Sequence, residues 1–159
     1  MEAFLDIETT GLGAGSDEIT VIGIYHVDGS RSKFVQLVGD RISEETLLEA
    51  MRGTTVIYTY NGSRFDLPFI RRRLGVDLER MYDHCDLMYS CWAKELYGGL
   101  KGVERQLNIP RRLKEVNGYE AVRLWWRYVN SYDEKALTTL LEYNKEDVVN
   151  LKTLRDRLL

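Results

Sequence analysis

The 159-residue sequence predicts one α/β domain built on a mixed five-stranded sheet flanked by helices. Three observations carry that reading. Residues 3–38 hold three runs of strand character, the last two joined by a hairpin signal, Asp28-Gly29. A fourth apolar run, Thr54 to Tyr60, is followed directly by a helical stretch, the order of a parallel strand and its helix. From Leu87 onward the pattern is helical to the end, with no internal repeat, low-complexity stretch or linker.

In order, the elements are justified as follows. Ala3, Leu5 and Ile7 alternate with Phe4, Asp6 and Glu8, the period of a strand. Thr9, Thr10, Gly11 and Gly13 make a polar turn in which backbone can approach a ligand. Glu18 to Val27 is β-branched and aromatic, and Arg31 to Val38 returns after the turn, completing an antiparallel meander of strands one to three. Ser43 caps a helix carrying Leu47, Leu48 and Met51 that ends at Gly53. Thr54 to Tyr60 is apolar enough to be buried and parallel. Arg64 to Leu74 is a helix closed by Gly75, with Pro68 in its first turn where a missing N–H costs nothing. Met81 to Cys85 is a short fifth strand. Helices follow at Leu87 to Tyr97, Gly102 to Asn108, Tyr119 to Val129, and from Ser131 or Asp133 onward, with Ser131 and Glu134 spaced as a capping box.

Composition excludes several classes. The chain is 44% hydrophobic and 30% charged, an ordinary soluble balance, and no apolar run approaches the roughly 20 residues that span a membrane. Met1-Glu2 leads straight into the first strand without a signal peptide. Cys85 and Cys91 match neither CxxC nor a zinc spacing and read as reduced thiols, so a cytoplasmic location is expected. The net charge of −3 argues against a nonspecific nucleic-acid binder unless bound metal ions reverse the charge of clustered acids.

Three places carry acids in functional positions. On a strand, residues two apart share a face, so Asp6 and Glu8 project side by side. Like charges that close repel and are costly when dry, and a divalent cation with a preference for hard oxygen ligands relieves them. The bland alternative is two solvated acids on an outer face. Asp66 follows a strand end and a polar turn, near a helix N-terminus, where open α/β sheets form ligand crevices; an acid placed there only for the helix dipole is the competing reading. In the last helix Tyr143 and Asp147 lie one turn apart on the face carrying Leu140, Leu151 and Leu154, so that face is turned inward and Asp147 needs a partner. Tyr143 also suits a core aromatic with a satisfied hydroxyl. Glu146 points aside and is read as solvated.

Together these residues resemble the tyrosine branch of the DEDD superfamily of 3′–5′ exonucleases, and within it the stand-alone prokaryotic exonuclease domains of ribonuclease-H-like fold. The first motif matches as Asp6-Ile7-Glu8-Thr9-Thr10-Gly11-Leu12, the second as Asn61 through Phe65-Asp66, the third as Tyr143 with Asp147. Neither His26 nor His84 lies near the last Asp, which disfavours the histidine branch. The resemblance implies a ribonuclease-H-like domain over residues 1–159. It implies two divalent ions, Mg²⁺ or Mn²⁺, roughly 3.5–4 Å apart, activating a water and stabilising charge on the attacked phosphate. Asp6 would bridge them, Glu8 and Asp147 would complete the water-activating site, Asp66 would support the second ion, and Tyr143 would orient the water. Thr9, Thr10, Leu12, Asn61 and Phe65 would contact substrate, Leu12 and Phe65 against the terminal bases and Asn61 on sugar or phosphate. The implied partner is a single-stranded nucleic acid with a free 3′ end, DNA favoured and RNA the runner-up. A catalytically silent binding module is the reading of a different class.

Other clusters stay open between two roles. Arg71-Arg72-Arg73 and Arg111-Arg112 with Lys114 either track a phosphate backbone or are solvated surface. Trp125, Trp126 and Tyr128 pack in the core, stack on bases, or make a homo-oligomer contact. His84 and Cys85 read as structural, and Asp83 and Asp86 carry no assigned role.

Overall fold

In the computed structural model, which describes residues 1–159, the alternating run at the start of the chain forms β1 (Glu2–Thr9), the middle strand of a five-stranded sheet. It pairs antiparallel with β2 (Ile19–Asp28), which pairs antiparallel with β3 (Arg31–Val38) through a hairpin turned at Gly29 (φ 62°). On its other side β1 lies parallel to β4 (Val56–Thr59), and β4 lies parallel to β5 (Asp83–Asp86). The strand order is therefore β3-β2-β1-β4-β5, the mixed sheet expected from the meander and the strand–helix alternation.

The two faces of β1 serve different cores. Ala3, Leu5 and Ile7 pack with Leu47 and Met51 of the α1 region (helix Glu44–Ala50) and with Leu67, Phe69 and Ile70 of α2 (Asp66–Leu74). Phe4, on the opposite face, packs with Leu151, Leu154 and Leu158 of the 25-residue C-terminal helix α7 (Glu134–Leu158). Asp6 and Glu8 continue the Phe4 face, so alternation alone aims both acids at α7. α7 lies close because Leu140 and Tyr143 bury against Val21 and against Ala121 and Leu124 of α6 (Gly118–Ser131). The remaining helices are α3 (Leu78–Met81), α4 (Leu87–Trp92) and α5 (Gly99–Gln106).

Several sequence expectations shift in detail. Ser43 caps α1 with a reciprocal bond to Thr46, but the helix ends at Ala50, before Gly53. The Thr54–Tyr60 run contributes only Val56–Thr59 to the sheet, with Val56 and Tyr58 half-buried. The short helix α3 precedes β5, where only a strand was read. The helix at Leu87 stops at Trp92, well short of Tyr97, and the next begins at Gly99. The capping box of Ser131 and Glu134 does not form. Ser131 closes α6, Tyr132 turns left-handed (φ 54°), and Asp133 caps α7 by accepting from the Ala136 N–H. Cys85 and Cys91 are free thiols. No helix is long and apolar enough to cross a membrane.

Candidate active site

The acids of β1 meet α7 at the carboxyl end of the sheet's middle strand. Carboxylate oxygens of Asp6, Glu8 and Asp147 lie within 4.8 Å of one another. Burial, with the repulsion of neighbouring charges, makes this group hold protons more tightly than free carboxylates. Burial and then the Asp147 charge raise the Asp6 carboxyl well above the usual range, and the same two causes raise Glu8. Hard oxygen donors that lack enough positive charge are what a divalent cation would complete, so the residues present fit Mg²⁺ or Mn²⁺.

Asp66 stands apart from this group. Burial pushes its carboxyl up to about 7, while its Oδ2 accepts the Ile7 N–H at 3.0 Å. It ties the start of α2 to the β1 backbone between the two acids. Tyr143 is buried one turn before Asp147. Burial, the Asp147 charge and the Glu8 charge together raise its hydroxyl far above the ordinary phenol value, so the hydroxyl keeps its proton.

A cleft of about 580 Å³ opens over the acids, walled by Thr9, Thr10, Leu12, Phe65, Tyr143 and Asp147. Leu12 is 87% exposed at its rim, and Phe65 leans on Phe69 with ring centroids 5.4 Å apart. The hydroxyls of Thr9 and Thr10 are engaged inside the turn. Thr9 donates to the Gly11 carbonyl at 2.6 Å, and Thr10 donates to Asp17 at 3.1 Å while accepting the Glu18 N–H. What these residues present to the cleft is therefore chiefly backbone and methyl surface. Asn61 is not brought to the cleft. It takes a left-handed turn (φ 61°), its N–H donates to Asp86, and its side-chain oxygen is buried without a partner.

Sequence reasoning passed over the groups that hold the acids in place. The Asn144 amide donates to the Asp6 carbonyl at 3.2 Å and reaches Asp6 Oδ2 at 3.5 Å; Gln36 on β3 fixes it by donating to its Oδ1 at 2.9 Å. Gly23 leaves the room, since a Cβ there would sit 2.2 Å from Asn144 Oδ1. A lone Gly inside a β-branched strand signals such a close approach. Asp86, given no role from the sequence, accepts from Asn61, Ser63 and Met88 and so shapes the β4–α2 turn while capping α4.

Arg111 is not a surface cation, whether solvated or tracking a backbone, as both sequence readings of its cluster had it. It is 7% exposed, forks onto Glu104 at 2.7 and 2.9 Å, and reaches Asp147 Oδ1 at 2.7 Å. Burial opposes its charge, yet the Glu104 and Asp147 carboxylates raise its affinity for the proton overall, so it stays cationic. For Asp147 the balance runs the other way: burial raises its carboxyl, and Arg111 only partly offsets that. Glu146 is likewise not free in solvent. It accepts the Arg112 and Leu113 N–H groups, pinning the loop that delivers Arg111, and Arg112 pairs with Glu142. Arg73 reaches Glu18 at 3.9 Å. In the aromatic set, Trp125 packs on the α6–α7 core while Trp126 is 44% exposed.

A parallel pair of strands beside an antiparallel meander, with acids on the middle strand facing a C-terminal helix, defines a ribonuclease-H-like domain. The chain belongs to the RNase_H superfamily, the RNase_H_2 family model matching residues 3–159. It is 29% identical over 165 residues to the uncharacterized protein YprB of Bacillus subtilis (strain 168), covering 95% of this chain and 40% of that one. The family B DNA polymerase of the archaeon Pyrobaculum calidifontis superposes over 99% of this chain and 24% of its own, with a TM-score of 0.76 and 20% identity. NrnC of Brucella melitensis bound to pGG superposes over 99% of this chain and 71% of its own, with a TM-score of 0.65 and 20% identity. A further structure of that protein holds Mg²⁺. The chain thus spans well under half the length of YprB and of the polymerase.

Proposed function

We propose that residues 1–159 form one ribonuclease-H-like domain of the DEDD tyrosine branch, a metal-dependent 3′–5′ exonuclease that shortens single-stranded DNA to nucleoside monophosphates. The observation that carries this reading is the convergence of Asp6, Glu8 and Asp147 within 4.8 Å, beneath a cleft that also holds Tyr143. That NrnC has been seen with pGG and with Mg²⁺ adds support.

Asp6, Glu8 and Asp147 would hold one divalent ion, and Asp6 with Asp66 would serve a second through water. Bound ions would neutralise the attacked phosphate and lower the pKa of the attacking water. In the hydrolysis, the water oxygen bonds to phosphorus, the bond to the preceding nucleotide's 3′ oxygen breaks, and that oxygen leaves with a proton. Tyr143, protonated throughout, donates a positioning hydrogen bond rather than acting as a base. Asn144 and Arg111 keep Asp6 and Asp147 in their rotamers. Leu12 and Phe65 offer apolar surface to the terminal bases.

An exoribonuclease with the same site, or a silent binding module, would share this geometry. Purified protein incubated with 5′-labelled single strands of DNA and of RNA, with Mg²⁺, Mn²⁺ or chelator, separates the three. A ladder shortening from the 3′ end of DNA, abolished by chelator and by Asp6→Ala, is expected. Faster shortening of RNA would reassign the substrate, and binding without cleavage would leave only the module.

A further inference from the structure

Beyond the cleft, on the far side of Lys101, the loop after α5 closes a second hollow of about 380 Å³. Its charged walls are Lys101, Arg105, Arg111 and Lys114, against the single acid Glu104. Glu104 is already neutralised, since it takes the Arg111 fork and the Asn150 amide at 2.8 Å. Lys101, Arg105 and Lys114 form no ion pair: Lys101 donates only to the Val116 carbonyl, and the other two are exposed. Arg111 itself is compensated, by Glu104, Asp147 and, at 3.8 Å from its Nη1, Glu146, so the unpaired charge of the hollow is that of the three others. In a chain of net charge −3, cations left uncompensated around one concavity mark an anion site.

The hollow is also connected to the acids. A shallower depression lined by Lys101, Gly118, Tyr143 and Asp147 joins it to the main cleft, and the Lys101 ammonium lies 5.0 Å from the Tyr143 ring. Strongly acidic and strongly basic surfaces therefore adjoin across one lysine. The first repels an anion unless metal is bound, and the second attracts it in any state.

We infer that this basic hollow is a phosphate subsite, holding a phosphate group of the nucleic-acid ligand one step away from the acid cluster. The inference rests on the nuclease reading for its ligand but not for its chemistry: the hollow binds phosphate whether or not the acids cleave. Two sources share that chemistry, an internal phosphodiester of the strand and the terminal phosphate of a released nucleoside 5′-monophosphate.

The test is equilibrium binding of a fluorescent ten-nucleotide DNA strand in an Asp6→Ala background, so that no cleavage intervenes. Arg105→Gln with Lys114→Gln is compared with Arg31→Gln and Lys33→Gln, which remove the same charge from the exposed start of β3 at the opposite end of the sheet. All four side chains are exposed, and a melting curve of each variant is to show the fold intact before its binding is compared. The hollow pair should weaken strand binding about tenfold more than the control pair, and the slope of log K against log salt should be shallower by about 1–2. Competition with adenosine 5′-monophosphate then separates the sources. Competition that weakens in the hollow variant identifies a terminal phosphate, and competition unchanged beside weaker strand binding identifies the phosphodiester. Equal affinities and equal salt slopes for the two pairs would overturn the subsite. Failure of the nuclease reading shows separately, as wild-type protein that binds but does not cut.

Discussion

Replacing Arg111 by Met tests how the acid cluster survives inside the fold. The guanidinium forks onto Glu104, itself 1% exposed, and touches Asp147 at 2.7 Å. Met keeps much of the stem's volume but leaves both carboxylates without their cation. Removing one partner of a buried ion pair costs about 3–5 kcal/mol, because the remaining charge stays dry. A chain of this length loses about 3 °C of melting temperature per kcal/mol, so the variant should melt about 10–15 °C below wild type in chelator. Adding Glu104→Gln removes the stranded charge and should recover about half of that loss. Mn²⁺ at a hundredfold excess over Kd stabilises a folded site by about 2.7 kcal/mol. Its effect should be larger in Arg111→Met, where the ion replaces the missing positive charge beside Asp147. Scanning calorimetry in chelator and in Mn²⁺ reads all of these shifts. A variant melting within about 3 °C of wild type in chelator would refute the view that Arg111 is the internal counter-ion of the site.

Three further outcomes are expected. Tyr143→Phe keeps the ring and deletes the hydroxyl, and single-turnover cleavage should slow on the order of 10²-fold with strand affinity little changed; an unaltered rate removes Tyr143 from the chemistry. Gly23→Ala drives a methyl into Asn144, costing about 1–3 kcal/mol and loosening Asp6, so melting temperature and cleavage rate should fall together; normal values for both would show that the Asn144 contact is idle. In chelator, stability should decline as pH rises from about 4 through 7 and beyond. Asp6, Glu8, Asp66 and Asp147 all have raised carboxyls, so the folded chain retains protons that the unfolded chain releases, and each added pH unit favours unfolding. Melting curves that rise across that interval would contradict the crowding of these acids.

Local pattern was enough wherever a residue's neighbours in sequence are also its neighbours in space. β1 to β3 were readable because alternation and the Asp28-Gly29 turn act within a few residues, and the same alternation put Asp6 and Glu8 on one face. The start of α7 is ambiguous in sequence because two capping signals overlap: Ser131 has the right spacing, but the left-handed Tyr132 hands the cap to Asp133. Arg111 looked like part of a surface charge run because its partners lie 7 and 36 residues away, on α5 and α7. Nothing near it in sequence distinguishes a buried cation from a solvated one. Glu146 failed for the same reason, since the N–H groups it accepts belong to a loop more than 30 residues earlier. Asn144 lies between Tyr143 and Asp147 on α7, and the signal that explains it, Gly23, lies on a strand far away in sequence.

The acid cluster joins a strand among the first ten residues to a helix among the last thirty. On a ribosome adding about 5–20 residues per second, Asp6 emerges on the order of ten seconds before Asp147 is even polymerised. The growing chain therefore carries half a site until Asp147 has been made. If the completed cluster cuts nucleic acid, it does so only after α7 has cleared the exit tunnel and docked onto β1.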